Sequence, residues 1–125
     1  MPAKAVRRQE SVAYAGPMAF DEHLADRIRT AVGDTIVDEK KMFGGIAFLL
    51  DGNMAVGVSG EELMVRVGPE VMDEAVAHDG VRPFEMSGKR MEGWILAGGD
   101  AIAEDSGLQY WVDIGLDFAA SLPPK

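Results

Sequence analysis

Residues 40–69, KKMFGGIAFLLDGNMAVGVSGEELMVRVGP, form a run of short apolar segments broken by glycines, and that punctuation admits few folds. Gly44-Gly45, Asp51-Gly52-Asn53 and Ser59-Gly60 fall where a meandering antiparallel sheet has to reverse, because glycine and asparagine reach positive φ at little steric cost. The pattern predicts strands at 35–41, 45–51, 53–58 and 62–67, with DGN as the tightest turn and VSGEE as a looser hairpin loop.

Helical periodicity flanks this block. Phe20, Leu24, Ile28, Ala31 and Val32 recur at helical spacing with charges mostly on the other face, and Gly33 suits a C-terminal cap, which predicts a helix over 21–32. Gly68-Pro69-Glu70 opens a short helix, since proline in the first helical position loses no needed hydrogen bond; Val71, Met72, Ala75 and Val76 give its buried stripe and Gly80 stops it. A strand pair over 83–86 and 90–96 surrounds Ser87-Gly88-Lys89. Ser106 and Gln109 have capping-box spacing ahead of a last helix marked by Leu108, Trp111, Val112, Gly115, Phe118, Ala119 and Leu122 and ended by Pro123-Pro124. Residues 1–17 lack periodicity and end in Gly16-Pro17, which suits a flexible arm and leaves 18–125 as one domain. The fold class is therefore α+β, a two-layer domain with a mainly antiparallel sheet and packed helices, in the order helix, strands, helix, strand pair, helix.

A chain of 125 residues needs one core, since it buries roughly two-thirds of its unfolded surface without disulfides or a structural metal. It has no cysteine, which excludes a thiol nucleophile and cysteine-based zinc sites and suits a reducing cytoplasm, the expected location. Arg7-Arg8 is followed by no long apolar segment, and no run approaches the roughly 20 residues that span a bilayer, so neither a targeting peptide nor a membrane partner is expected. Residues 1–10 carry +2 of a net charge of −9, leaving −11 for the rest, a balance that disfavours direct nucleic-acid binding.

Few residues stand out as chemical candidates. Met42, Phe43, Gly44 and Gly45 suggest either a shaped binding lip or, on the commoner meaning of strand glycines, a turn with Phe43 packed in the core. Arg66 lies between Val65 and Val67, shares a face with Met64, and suits bidentate capture of a carboxylate, an ion pair, or simple exposure. Arg82, Lys89 and Arg90 would join it in an anion site only if the fold made them converge. Trp94 and Trp111 are expected in the core, as are Met64, Met72 and Met86, although eight methionines also suit an adaptable partner surface. His78 fits a helix C-terminus, and neither it nor His23 has partners at metal or triad spacing. No catalytic residue, metal ligand or cofactor is assigned.

The pieces MAFDEHLADRIR, KKMFGGIAFLLDGNMAVGV, ELMVRVGPE, RPFEMSGKRMEGWI and LQYWVDIGLDFA, in this order, resemble the N-terminal domain of the TfoX (Sxy) competence regulators. The resemblance covers residues 18 to about 123. It implies an antiparallel sheet with helices packed on it, akin to secretion-chaperone-like α+β folds, and regulation through protein partners. It implies no established enzyme activity. The expected function is a small bacterial regulatory or protein-interaction module, using a sheet edge or helix groove to bind an unidentified protein or a second copy of itself. The competing expectation is a small anionic-ligand binder or enzyme built on Arg66, Arg82, Lys89 and Arg90; a nucleic-acid accessory role for Arg7, Arg8, Lys40 and Lys41 ranks below both.

Overall fold

A computed structural model describes residues 20–42 and 44–125. Among them, helix α1 (Glu22–Val32) leads into strands β1 (Asp38–Met42), β2 (Gly45–Leu50), β3 (Asn53–Ser59) and β4 (Glu62–Arg66). A 3-10 turn (Pro69–Val71) opens helix α2 (Met72–Val76), followed by β5 (Val81–Met86), β6 (Lys89–Ala97), a second 3-10 turn (Gly99–Ala101) and helix α3 (Asp105–Ala120). The six strands make one sheet in the order β1-β2-β3-β4-β6-β5, every pairing antiparallel. The chain is thus α+β, as its pattern predicts, and the departure from sequence order comes from α2, which carries the chain past β6 to the far edge.

Tight reversals set the strand lengths. Asp51-Gly52, at φ 52° and 83°, joins Leu50 to its partner Asn53, and Ser87-Gly88, at 55° and 79°, joins Met86 to Lys89. Left-handed conformation at both turn residues matches the twist of the strands they connect. Ser59 pairs with Glu62, so the VSGEE loop is in fact a two-residue connection, Gly60-Glu61. Beside it Phe20 makes a parallel bridge to Gly60, and the Asp21 N–H donates to the Gly60 carbonyl at 2.8 Å.

All three helices lie on one face of the sheet. The Asp21 carboxylate caps α1 by accepting the His23 and Leu24 N–H groups, and Leu24, Ala25, Ile28 and Val32 form its buried stripe. Helix α3 crosses β3 and β4 and packs beside α1, while α2 covers β5 and β6. Beneath them Ile46, Phe48, Val56, Val58, Leu63, Val65 and Ile95 supply the sheet side of the core, and Trp111 and Val112 the helix side. The Gln109 amide donates to the Ala31 carbonyl at 2.8 Å, and Arg27 to the Ile102 carbonyl at 2.8 Å, tying α3 and the loop before it to α1.

Several expectations change. Residues 35–37 do not join β1, and the short second helix, expected to run to Gly80, is a 3-10 turn with five α-helical residues that ends at Val76, leaving His78 beyond its end with its ring 5.1 Å from Trp111. The capping box does not form: α3 begins at Asp105 with Glu104 as its cap and no side-chain cap bond, because Gln109 is drawn to Ala31 and Asp113. The expectations for residues 1–17 and for Phe43 fall outside the described residues.

Arg29 joins α1 to the exposed edge strand through paired bonds to Glu39, Nε to Oε2 and Nη2 to Oε1, both 2.8 Å. These bonds outweigh burial and hold the Glu39 carboxyl below the ordinary carboxylate range. The stability this supplies is present above the unfolded carboxylate pKa and is lost as pH falls through the lowered folded value. Because the side chains are 38 % and 37 % exposed, solvent screens the pair. Glu39→Gln should cost under about 1 kcal/mol at neutral pH, with the gap to the native chain closing in acid, as read by urea denaturation across pH. Trp111, 3 % exposed in the centre of the helical layer, should by contrast cost about 3–5 kcal/mol on replacement by alanine in the same assay.

Candidate functional site

Strand alternation should leave the face away from the helices polar, as antiparallel sheets commonly do. It does not. At the β2–β3 pairing, Phe48 faces Val56 but Leu49 faces Met54, so Ala55 is an extra residue. Ala55 and Val56 both enter the core and Met54 turns to the open side. In β6, Met91 and Trp94 are an odd number of residues apart and would sit on opposite faces of a regular strand. Gly93 intervenes at φ 90°, its carbonyl accepting both the Val67 and Gly68 N–H groups at 2.8 and 3.1 Å, and this bulge brings Met91 and Trp94 to the same side. A Cβ at Gly93 would lie 3.2 Å from the Pro69 nitrogen, in a backbone region L side chains avoid.

The result is a groove of about 400 Å³ on the open face. Gly45, Ala47 and Gly57, all buried, make its floor. Met42, Met54, Met64, Met86, Met91, Phe84 and Trp94 make its walls, and Ser59 and Gly60 close one end. A Cβ at Gly57 would come within 2.9 Å of the Met54 methyl, so the bare floor is what gives that wall its room. Five of the eight methionines gather here, and no described lining residue is charged, in a chain whose residues are 26 % charged. Unbranched thioethers on a small-residue floor can repack around differently shaped apolar groups.

Charges stand around this lining. Lys40 lies opposite Ala47 in the β1–β2 register, and Arg82 on the far edge strand pairs with Glu62. Arg66 is placed over the Trp94 ring, 5.1 Å from its centroid, and 5.5 Å from that of Phe118, which orients its guanidinium by cation–π attraction. An apolar centre within a charged rim is the usual anatomy of a recognition patch.

Of the residues singled out in the sequence, the fold therefore brings Met42, Gly44 and Gly45 to the groove. It does not gather the four cations. Arg66 stacks on aromatic rings, Arg82 is bound to Glu62, Arg90 lies between Asp73 and Glu92 at 3.2 and 3.0 Å, and Lys89 sits exposed beside the β5–β6 turn. Met64, Met86 and Trp94 are not core residues: Met64 and Trp94 are half-buried on the open face and Met86 is 45 % exposed. Met72 and Trp111 are buried. Alternation could have placed Met64, since its neighbours Leu63 and Val65 point into the core; Met54 and Met91 could not have been placed, because each depends on a bulge.

A second hollow of about 350 Å³ lies between α2 and α3, bordered by Glu74, His78, Tyr110, Trp111 and Asp117. Val71 and Tyr110 are 40 % and 50 % exposed there, but acidic groups interrupt its lining and it is shallower in apolar character than the sheet groove. Among the described residues no three His, Asp or Glu side chains cluster as a metal ion would need, and no helix is long and apolar enough to cross a membrane.

A search of curated proteins finds no match. The family model for the TfoX N-terminal domain matches residues 31–119, from the end of α1 through β1 to β6 and nearly all of α3, and so takes in every strand of the grooved sheet. The chain belongs to the TfoX N-terminal domain family.

Proposed function

We propose that this chain is a small bacterial regulatory module, similar in role to the competence regulators of its family, that acts by receiving an apolar segment of a protein partner on the open face of its sheet. The observation that carries this reading is the uncharged, methionine-walled groove on a face that water would otherwise cover. Burying part of such a patch in a partner is favourable at roughly 25 cal/mol per Å² of apolar surface. Strand-edge docking is supported less well. Edge strand β1 carries Asp38, Glu39, Lys40 and Lys41, and edge strand β5 carries Pro83, devices that discourage pairing with another chain.

The anionic-ligand alternative has weaker support, because Arg82 and Arg90 already face carboxylates. Work in the cytoplasm suits the absence of cysteine, and the strongly acidic charge of the domain argues against phosphate backbones as its target.

Peptides selected from a random library against the immobilised chain should be rich in apolar residues. Met64→Glu, which sets a carboxylate among the methionines without emptying the core, should weaken them at least about tenfold, equal to about 1.4 kcal/mol. Undiminished binding to Met64→Glu, or a saturable rise in melting temperature with citrate or phosphate that Arg66→Ala abolishes, would overturn this reading in favour of a ligand site.

A further inference from the structure

The hollow between α2 and α3 has a lining unlike that of the methionine groove. Its described residues include Glu74 and Asp117 but no lysine or arginine, and neither carboxylate joins an ion pair found among the described residues. On α3, Tyr110, Ile114 and Asp117 recur at helical spacing and share one side. Val71, Glu74 and His78 recur in the same way along the facing segment, where the His78 N–H donates to the Ala75 carbonyl at 3.2 Å and carries the turn past the end of α2. The rings of the hollow are braced against one another. Buried Trp111 meets His78 at 84° with centroids 5.1 Å apart and Tyr110 at 85° with centroids 5.0 Å apart, the edge-to-face arrangement that aromatic pairs favour. The exposed His78 and Tyr110 rings are thereby set 6.0 Å apart and inclined at 46°, so that one ion can lie within about 6 Å of both centroids, the range over which a ring attracts a cation. The chain's own cations stand over other rings: Arg29 over Phe48, and Arg66 over Trp94 and Phe118.

We propose that this hollow binds an alkylated ammonium group, with Tyr110 and His78 offering ring faces, Glu74 and Asp117 the countercharge, and Val71 and Ile114 the contact for its methyl groups. A space of about 350 Å³ suits a small ion better than a length of polypeptide. The lining selects among cations. A metal ion needs several converging ligands, and no three His, Asp or Glu side chains among the described residues cluster to supply them. A primary ammonium is a compact, strongly hydrated charge, and beside Val71 and Ile114 its N–H groups would lose water without gaining an acceptor. A quaternary ammonium has no N–H to satisfy, and its methyl groups bury apolar surface while its charge meets the rings and carboxylates. The net charge of −9 draws such an ion toward the domain at long range. The hollow lies on the helical side of the sheet, so its occupancy is independent of what the open face receives.

The full chain is titrated at constant ionic strength with choline, with the neutral isostere of choline in which a tert-butyl group replaces trimethylammonium, and with N-acetyl-trimethyllysine methylamide. Ring signals of Tyr110 and His78 and the methyl signals of Ile114 and Met64 are followed by NMR. At least one ammonium ligand should shift the Tyr110, His78 and Ile114 signals along one saturating isotherm, leave Met64 in place, and bind at least about tenfold more tightly than the isostere. Tyr110→Leu, at a half-exposed position outside the core, and Glu74→Gln with Asp117→Asn should each weaken that ligand at least about threefold in chains whose thermal unfolding shows them folded. Tighter binding of the lysine derivative would assign the ammonium to a modified protein side chain, and tighter binding of choline to a free small molecule; both keep the site. Equal affinity for choline, the lysine derivative and the isostere would overturn the proposal by making the hollow merely apolar. Shifts that do not saturate, or that survive both variants unchanged, would overturn it as well.

Discussion

A sheet covered by helices on one side only is governed by parity: each strand residue points either into the core or away from it, and a single inserted residue exchanges the two. Here the parity changes at Ala55 in β3 and at Gly93 in β6. Without the first, Met54 would point with Val56 toward α3; without the second, Met91 and Trp94 would be parted by the sheet. The second is held from both sides. Its carbonyl binds the Val67 and Gly68 N–H groups, its own N–H points to the Met72 sulfur at 3.2 Å, and at φ 90° a Cβ would be strained as well as crowded by the Pro69 backbone. The turn into α2 and the composition of the opposite face are thus parts of one local arrangement.

That arrangement gives an acidic domain a concavity whose described lining carries no charge. Several of its charges pair outside the groove: Arg29 with Glu39 fastens β1 to α1, Arg82 with Glu62 links β5 to β4, and Arg90 reaches Asp73 on α2. Arg66, a strand cation beside the groove, lies across Trp94 and Phe118. The methionines are left with one another and with small residues. Apolar recognition at the centre with charge at the margin gives affinity from burial and selectivity from the rim.

The fold was largely legible in the sequence because its turns announce themselves. Asp51-Gly52 and Ser87-Gly88 adopt the left-handed pairs their composition suggests, and the stripe Leu24, Ile28, Val32 fixes the buried side of α1. Three places were illegible for physical reasons. The second helix stops at Val76, short of its stop signal at Gly80, and β5 begins at Val81 where its register with Ala97 demands. Gln109 abandons capping because a carbonyl of α1 lies within reach, a tertiary fact. The groove itself was the least legible, for it is made of residues whose faces depend on bulges; Met42, Gly44 and Gly45 were marked by their glycines, while Met54 and Met91 carried no local sign. Clustering of cations, the other candidate site, failed because Arg82 and Arg90 meet nearby acids first.

The central claim is that recognition occurs on the open face and depends on its methionines. The most direct measurement is to titrate a selected apolar peptide into the chain carrying carbon-13 methionine methyls and follow all resolved signals. The account predicts that Met42, Met54, Met64, Met86 and Met91 shift together along one saturating isotherm while Met72 stays in place. Stationary groove methyls with binding-linked changes at Tyr110 and His78, in the hollow between α2 and α3, would contradict it.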